Sequence, residues 1–297
     1  MTTPPLPAVT TVVTHPGDAH LDDLMAVAVW LANFPQASVY RRDPTPAELA
    51  DPTVVVVDVG LVADPERMNF DHHQYPRDYP PTCALTLTLD RLGLLAPARM
   101  AFPWLDLAEV FDSKGPVAAA KHVGMPVDRL HLTTSPVEGY VLRLLGRQSG
   151  AAGIHPNTPL HDFLVGMGRD TLDYATRFAA RQELLSARAV VHLAPTEGGR
   201  HLEVVDVSFV SPEENPGFGL EAWVKANHPA AAVTVRRDDR GDGLALFRRN
   251  DHPRIDFSAL EGTVGCVFAH KNGFVAKLAA GMNPLVAVQQ ALKPPPG

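Results

Sequence analysis

The sequence predicts an α/β protein, with a doubly wound parallel-sheet domain followed by a smaller mixed α+β domain. Three observations carry that expectation. Residues 54–57 are an unbroken valine run, which fits a strand covered on both faces, as in a parallel sheet between helices. Strand-like and helix-like segments alternate from residue 9 onward, the pattern of βα units. Beyond residue 200 the helical periodicity gives way to short apolar runs separated by turn residues.

Taken in order, residues 9–15 (VTTVVTH) form a β-branched run ending in His15. Leu21, Leu24, Met25, Ala28, Val29 and Ala32 then recur at helical spacing. A strand over 38–41 and a turn of helix over 46–50 precede the valine strand, which ends in Asp58-Val59-Gly60, and Asn69-Phe70 reads as extended. Helices are expected at about 82–94, 105–111, 136–145 and 160–192. The break TEGGR sets the domain boundary, giving domains of 1–196 and 197–297. In the second domain, 201–210, 232–237 and 244–248 read as strands and 220–227 as a helix. The runs 264–269 and 274–278 flank His270-Lys271-Asn272-Gly273, where Asn-Gly suits a tight hairpin. Asn283-Pro284 provides a cap and a first-turn proline for a last helix to about 292, and the PPPG tail is expected to be disordered.

With 297 residues, 45% hydrophobic and 20% charged, the chain is neither a disordered polymer nor a small stapled scaffold. A net charge of −7 argues against a non-specific nucleic-acid binder on bulk charge. It leaves room for a local basic groove, or for a site where metal ions supply the positive charge. The two cysteines, Cys83 and Cys266, form no Cys-x-x-Cys pair, so neither a disulfide framework nor a thiolate zinc site is expected. The start of the sequence has no signal-peptide pattern, and the apolar stretch 24–31 is too short to span a bilayer. These features predict a cytoplasmic protein with no membrane contact.

Four places can carry chemistry: His15 to Asp23 at a strand end and helix start, Asp58 at the end of the valine strand, Asp71-His72-His73, and Asp112. Taken singly, each has an ordinary explanation. Asp18, Asp22 and Asp23 complement a helix N-terminus, and Asp58 and Asp112 suit turns. Taken together they point elsewhere. In an open α/β sheet the carboxyl ends of the strands form one crevice, and His15, His20, Asp22 and Asp58 belong at that rim. Imidazole and carboxylate ligands suit Mn²⁺, Mg²⁺ or Zn²⁺. Gathering Asp22, Asp58, Asp71 and Asp112 would be costly by like-charge repulsion, and two divalent ions would cancel it.

The order of these residues resembles the DHH phosphoesterase superfamily, in particular its branch named after melanocyte proliferating gene one. That branch carries T-H-x-G-x-F-H-x-D-E, V-D-V-G and D-P-x-x-x-x-x-D-H-H-Q. Here stand Thr14-His15-Pro16-Gly17-Asp18-Ala19-His20-Leu21-Asp22-Asp23, Val57-Asp58-Val59-Gly60, and Asp64-Pro65 through Asp71-His72-His73-Gln74. The likeness extends to Gly265 through His270 and to Gly273-Phe274. The resemblance implies a hydrolase with two divalent ions, Mn²⁺ foremost, and 3′-to-5′ exonuclease action on RNA. By similarity His15 and His20 would hold one ion, with Asp22, His72 and Asp112 on the other and Asp58 bridging. Asp71 would orient His72, and His73 would meet the phosphate or protonate the leaving oxygen.

Several residues depart from that pattern. Ala19 replaces an aromatic, Asp23 a Glu and Leu61 a second Gly; the fourth motif, Asp112-Ser113-Lys114-Gly115, has one extra residue and leaves Asp106 as the reserve ligand. The branch's glycine-rich segment after the C-terminal Gly-Phe is absent. The second domain is expected to supply substrate contacts, with Arg248, His270, Lys271 and Gly273 foremost; Arg236, Arg237 and Arg249 share the strand ends. The partner is then a phosphorylated substrate, an RNA 3′ end or a nucleotide, with a homodimer as the assembly allowed for. Two rivals stand beside the exonuclease reading: a phosphatase of nucleoside bisphosphates or pyrophosphate, and a metal-stabilised binding module without turnover.

Overall fold

The computed structural model describes residues 5–133, 135–196 and 200–294. Two compact units divide the chain, Met1–Arg177 and Phe178–Gly297.

In the first unit, strands β1 (Thr11–Thr14), β2 (Ser38–Arg41), β3 (Val54–Val57), β4 (Ala63–Asp64), β5 (Asn69–Phe70) and β6 (Gly150–Ile154) form one sheet in the order β4-β5-β3-β1-β2-β6. The inner strands β5, β3, β1 and β2 are parallel, and the edges β4 and β6 run antiparallel. All four valines of β3 are buried, as their unbroken run requires. The chain leaves β1 towards β2 on one side and returns to β3 on the other, so the switch point of the winding lies between β1 and β3. Register then aligns the strand ends: Thr14 pairs with Arg41 and with Val57, and Val57 with Phe70. His15, Asp58 and Asp71 are each the next residue after that row.

Helix α1 (Leu21–Asn33) is buried from Asp22 to Leu31. It supplies Leu24, Val27, Trp30 and Leu31 to a core shared with Val12, Val55, Val57, Phe70 and Leu85. The indole of Trp30 donates to Thr88 Oγ1 on α3 (Ala84–Arg91) at 3.0 Å. The short α2 (Pro46–Ala50) carries a Thr45/Glu48 capping box. Helices α4 (Leu95–Ala101), α5 (Leu105–His122) and α6 (Pro136–Gly146) complete the layer. The expected helix over 105–111 continues to His122, because Gly115 (φ 81°, ψ 175°) interrupts it and Pro116 restarts it. Strand β6 was not legible: Gly-Ala-Ala-Gly carries little strand propensity, and β6 joins the sheet by Ile154 opposite Val39.

The second unit holds a six-stranded mixed sheet in the order β11-β12-β10-β9-β8-β7. Its strands are β7 (Val190–Pro195), β8 (His201–Asp206), β9 (Val233–Arg237), β10 (Leu244–Arg248), β11 (Cys266–Ala269) and β12 (Val275–Leu278). Helix α8 (Leu220–Asn227) and α9 (Pro284–Gln290) accompany it. The long helix α7 (Pro159–Arg188) ends before the expected residue 192, because Val190 to Pro195 pair as a hairpin with β8. The compact units divide at Arg177/Phe178, inside α7, whereas the sequence set the boundary at 196/197. The difference comes from β7, which pairs with β8, and from the last turns of α7, where Arg181 and Gln182 donate to the carbonyls of Glu214, Asn215 and Gly219 and Leu185 packs with Val205 and Val224. Glu197, Gly198 and Gly199 of that expected break, and the last three residues of the PPPG tail, lie outside the described residues. Among the described residues no helix is long and apolar enough to cross a membrane.

Candidate metal centre

The site is built on the aligned strand ends. Asp58 leaves β3 in the left-handed region, φ 58°, and its N–H donates to Phe70 O at 3.1 Å. Such a conformation in a buried non-glycine residue is costly and concentrates at functional sites. Its carboxylate, 3% exposed, lies 3.5 Å from His15 Nε2 and 3.2 Å from His72 Nε2. Burial raises the Asp58 carboxyl above its ordinary value; the His72 hydrogen bond opposes the shift and the Asp112 charge adds to it.

The loop after β1 delivers the imidazoles. Gly17 takes φ 84°, a turn that glycine permits at no steric cost. The His15 and His20 rings lie 5.3 Å apart. His20 N–H donates to Asp23 Oδ1 at 2.6 Å at the start of α1. Asp23 is itself held by the fully buried Arg41, whose Nη1 lies 2.5 Å from Asp23 Oδ2. Arg41 Nη2 also donates to the carbonyls of Gly17 and Asp18, at 3.1 and 3.2 Å. One guanidinium therefore fixes both ends of the loop that presents His15 and His20. Burial works to raise the Asp23 carboxyl, but His15 and Arg41 outweigh it and hold it below its usual value. Asp23 is thus a structural anchor, and Arg41 is the residue that the sequence reading missed.

Asp22, one residue into α1, is also buried and accepts the N–H groups of Ala84 and Leu85, at 2.9 and 2.7 Å. It caps α3 from a distance, and a carboxylate has lone pairs left for a further partner. Burial, then the Asp58 and Asp112 charges, push the Asp22 carboxyl well above the ordinary range.

His72 Nε2 reaches Asp112 Oδ2 at 2.7 Å. Burial works against the charge of His72, but Asp112 and Asp58 more than offset it and push its pKa up to about 10. Asp71 accepts from the backbone N–H groups of Leu61, His72 and His73, at 2.6, 2.7 and 3.1 Å. Its ring contact is with His73 Nδ1, at 2.8 Å. Asp71 therefore orients the His73 ring, whereas the sequence resemblance assigns it to His72. The Asp71 hydrogen bond raises the His73 pKa above its ordinary value.

The structure brings these side chains into overlapping groups of atoms spaced for a metal. His15, His20 and Asp58 make one; Asp22, Asp58, His72 and Asp112 make another; Asp58, Asp71, His72 and His73 make a third. Asp58 belongs to all three. Asp22, Asp58 and Asp112 crowd around His72, and burial with neighbouring carboxylate charge raises the Asp22 and Asp58 carboxyls; a cation held among them would relieve that repulsion. Hard carboxylate oxygens with imidazole nitrogens fit Mn²⁺, Mg²⁺ or Zn²⁺. Asp106 is engaged elsewhere, by Arg99, and Asp112 stands in the group.

Apart from His73, the predicted substrate residues belong to the second unit. Arg248 spends Nη1 on Ile255 O and Nη2 on Asp251 and Asn272 O. The His270 ring packs on Phe274, centroids 4.0 Å apart, and Nδ1 accepts from Asn272 N–H. Lys271 is exposed on the turn. Gly273 (φ 66°) has room for no Cβ, which would lie 2.0 Å from Asp256 Oδ1.

Fold and site together define an α/β protein with a carboxylate–imidazole cluster that could hold metal, at the carboxyl ends of the parallel inner strands. Residues 11–84 match the family model MYG1_exonuc, described as an uncharacterised protein family (UPF0160). That segment holds seven of the eight residues in the candidate metal groups, all but Asp112, and the match is consistent with the branch that the motif order resembles. Among solved structures the chain is similar to RecJ from Thermus thermophilus in complex with Mg²⁺, at 16% identity and a TM-score of 0.28, covering 95% of this chain and 49% of that one. It is also similar to RecJ in complex with Mn²⁺ from the same organism, at 16% identity and a TM-score of 0.26, covering 97% and 55%. The chain spans about half the length of those RecJ chains. No curated protein matches it.

Proposed function

We propose that the protein is a divalent-metal-dependent phosphoesterase, a 3′-to-5′ exonuclease acting on RNA or short oligonucleotides in the cytoplasm. The observation that carries this reading is the sharing of Asp58 between the His15–His20 group and the Asp22–His72–Asp112 group. On that division His15 and His20 would hold one ion, Asp22, His72 and Asp112 the other, and Asp58 would bridge them, with Mn²⁺ foremost. Two such ions, when bound, would neutralise the buried carboxylates and supply Lewis-acid activation of water and of a phosphoryl oxygen.

The chain's own residues do the rest. Burial raises the Asp58 and Asp22 carboxyls, and a bound cation would favour their charged forms. His73 is more than half exposed in its side chain, and Asp71 fixes its ring through Nδ1. Its raised pKa keeps a proton available, and it donates that proton to the leaving oxygen. Of the second-unit candidates for substrate contact, Arg248, His270, Lys271 and Gly273, Lys271 is the charged side chain exposed on the turn, and its contact with a phosphorylated substrate belongs to this proposal.

The test is hydrolysis of bis(4-nitrophenyl) phosphate and of 3′-end-labelled RNA in the presence of Mn²⁺. Wild type should turn over both, and Asp58→Ala neither. Equal rates in the two proteins would refute the role of Asp58. A second reading, a phosphatase of nucleoside bisphosphates or pyrophosphate, is favoured by the net charge of −7, which disfavours long polyanions. Mononucleotides would then react while oligonucleotides resist.

A further inference from the structure

The loop after His72-His73 carries a feature that the metal centre does not use. Tyr75 and Tyr79 stack face to face, with ring centroids 4.1 Å and planes 15° apart. Both line an open pocket of about 520 Å³, together with Arg77, His72, His73 and Asp112. An aromatic pair thus shares one concavity with residues of the metal centre.

The pair is held in place before any ligand arrives. Tyr75 N–H donates to His72 O at 3.1 Å, and Tyr79 N–H to Pro76 O at 2.9 Å. Lys114 Nζ donates to the carbonyls of Arg77 and Tyr79, at 2.9 and 2.5 Å. Lys114 lies two residues beyond Asp112, in the motif whose extra residue departs from the family pattern. That departure ties the loop to α5, so one segment supplies both Asp112 and the clamp on the tyrosines. Pro76, Pro80 and Pro81 restrict the loop further. Tyr79 is nevertheless 40% exposed. A rigid, open aromatic face is poor use of a surface that water covers and good use of one that a flat ring covers.

We infer that the Tyr75–Tyr79 stack is a nucleobase platform that selects nucleotide substrates, the inference resting on the phosphoesterase reading for where the phosphate goes. The terminal base stacks on the open face of Tyr79, extending the pair, while the phosphate lies at the His72–His73–Asp112 end of the pocket. Arg77 adds a positive charge there, in a chain that is otherwise acidic. Stacking of this kind tolerates any base, because every base has a π-face. The platform therefore sets a preference for nucleotides over other phosphoesters without reading sequence.

The test is a calorimetric titration of the full chain with Mn²⁺, using AMP and ribose 5-phosphate as probes. AMP should bind about ten-fold more tightly or better, the scale of one base–aromatic stack. Tyr79→Leu, which keeps bulk but removes the ring, should abolish that preference and leave ribose 5-phosphate binding unchanged. Tyr79→Phe and Tyr79→Trp should retain it. Equal binding of the two probes by wild type, no binding of AMP, or a preference that survives Tyr79→Leu would each overturn the inference. Hydrolysis of bis(4-nitrophenyl) phosphate, measured in parallel, separates the two claims. Hydrolysis without a preference for AMP removes the platform alone. A preference for AMP without hydrolysis of any phosphoester keeps the platform and removes the phosphoesterase.

Discussion

The carboxyl ends of β1, β3 and β5 and the turn between β11 and β12 both collect histidine and charged side chains, and they do so in opposite ways. At the strand ends, Asp22, Asp58 and Asp71 are buried beside the His72–Asp112 pair, 2.7 Å apart, and His15 Nε2 lies 3.4 and 3.5 Å from Asp23 and Asp58. At the turn, Arg248 is answered by Asp251 and two carbonyls, His270 by Asn272 and Phe274, and Lys271 stands in solvent. The first region has a deficit of positive charge that its own residues do not cover. The second is locally balanced. Buried, unbalanced charge needs a partner from outside the chain; balanced surface charge does not.

That contrast can be broken at several strengths. The largest effect is expected from Asp58→Ala, which removes the atom common to every ligand group; turnover of bis(4-nitrophenyl) phosphate with Mn²⁺ should fall by about a thousand-fold or more, several kcal/mol of barrier. Next comes Arg41→Ala. It leaves the buried Asp23 without its guanidinium, at 2.5 Å in the native protein, and should cost about 3 kcal/mol in urea unfolding. Gly273→Ala should cost about 2 kcal/mol, since the added Cβ meets Asp256 and the backbone is left-handed; metal binding at the first unit should be unaffected.

A pH effect of known sign comes from His72. Its pKa is raised from 6.5 to about 10, so without metal its charged form contributes stability fully present below pH 6.5 and lost as pH rises through about 10. Metal binding displaces that proton. Mn²⁺ affinity should therefore rise by about ten-fold per pH unit between pH 7 and 9, with about one proton released, read by calorimetry in buffers of different ionisation enthalpy. Affinity independent of pH over that range would remove His72 from the ligand set. The smallest effect should be that of Lys271→Ala, about a three-fold rise in KM, the worth of one exposed charge.

Much of the first region was legible because its residues end strongly patterned runs. The four-valine strand placed Asp58, and the β-branched run before it placed His15; parallel register then does the rest. Arg41 was not legible, since a strand-terminal arginine reads as solvated until register shows it in the row of Thr14 and Val57. Asp23 likewise read as helix-start charge, and only the buried pair reveals it as an anchor. The role of Asp71 was misassigned because adjacent histidines differ by one residue in sequence but present their rings to different carboxylates. Lys114 entered the sequence reading only as part of the irregular fourth motif, because its contacts with Arg77 and Tyr79 are long-range. In the second unit, β7 was absorbed into the preceding helix because its strand character depends on a hairpin partner beyond a break.

The central claim is that these carboxylates and imidazoles hold two ions around Asp58. It is tested most directly by counting Mn²⁺ bound per chain at saturation, by calorimetry and by elemental analysis of the desalted complex. The account predicts two ions for the wild-type protein and fewer than one for folded Asp58→Ala. No tight Mn²⁺ in the wild type, or the same count in both proteins, would contradict it.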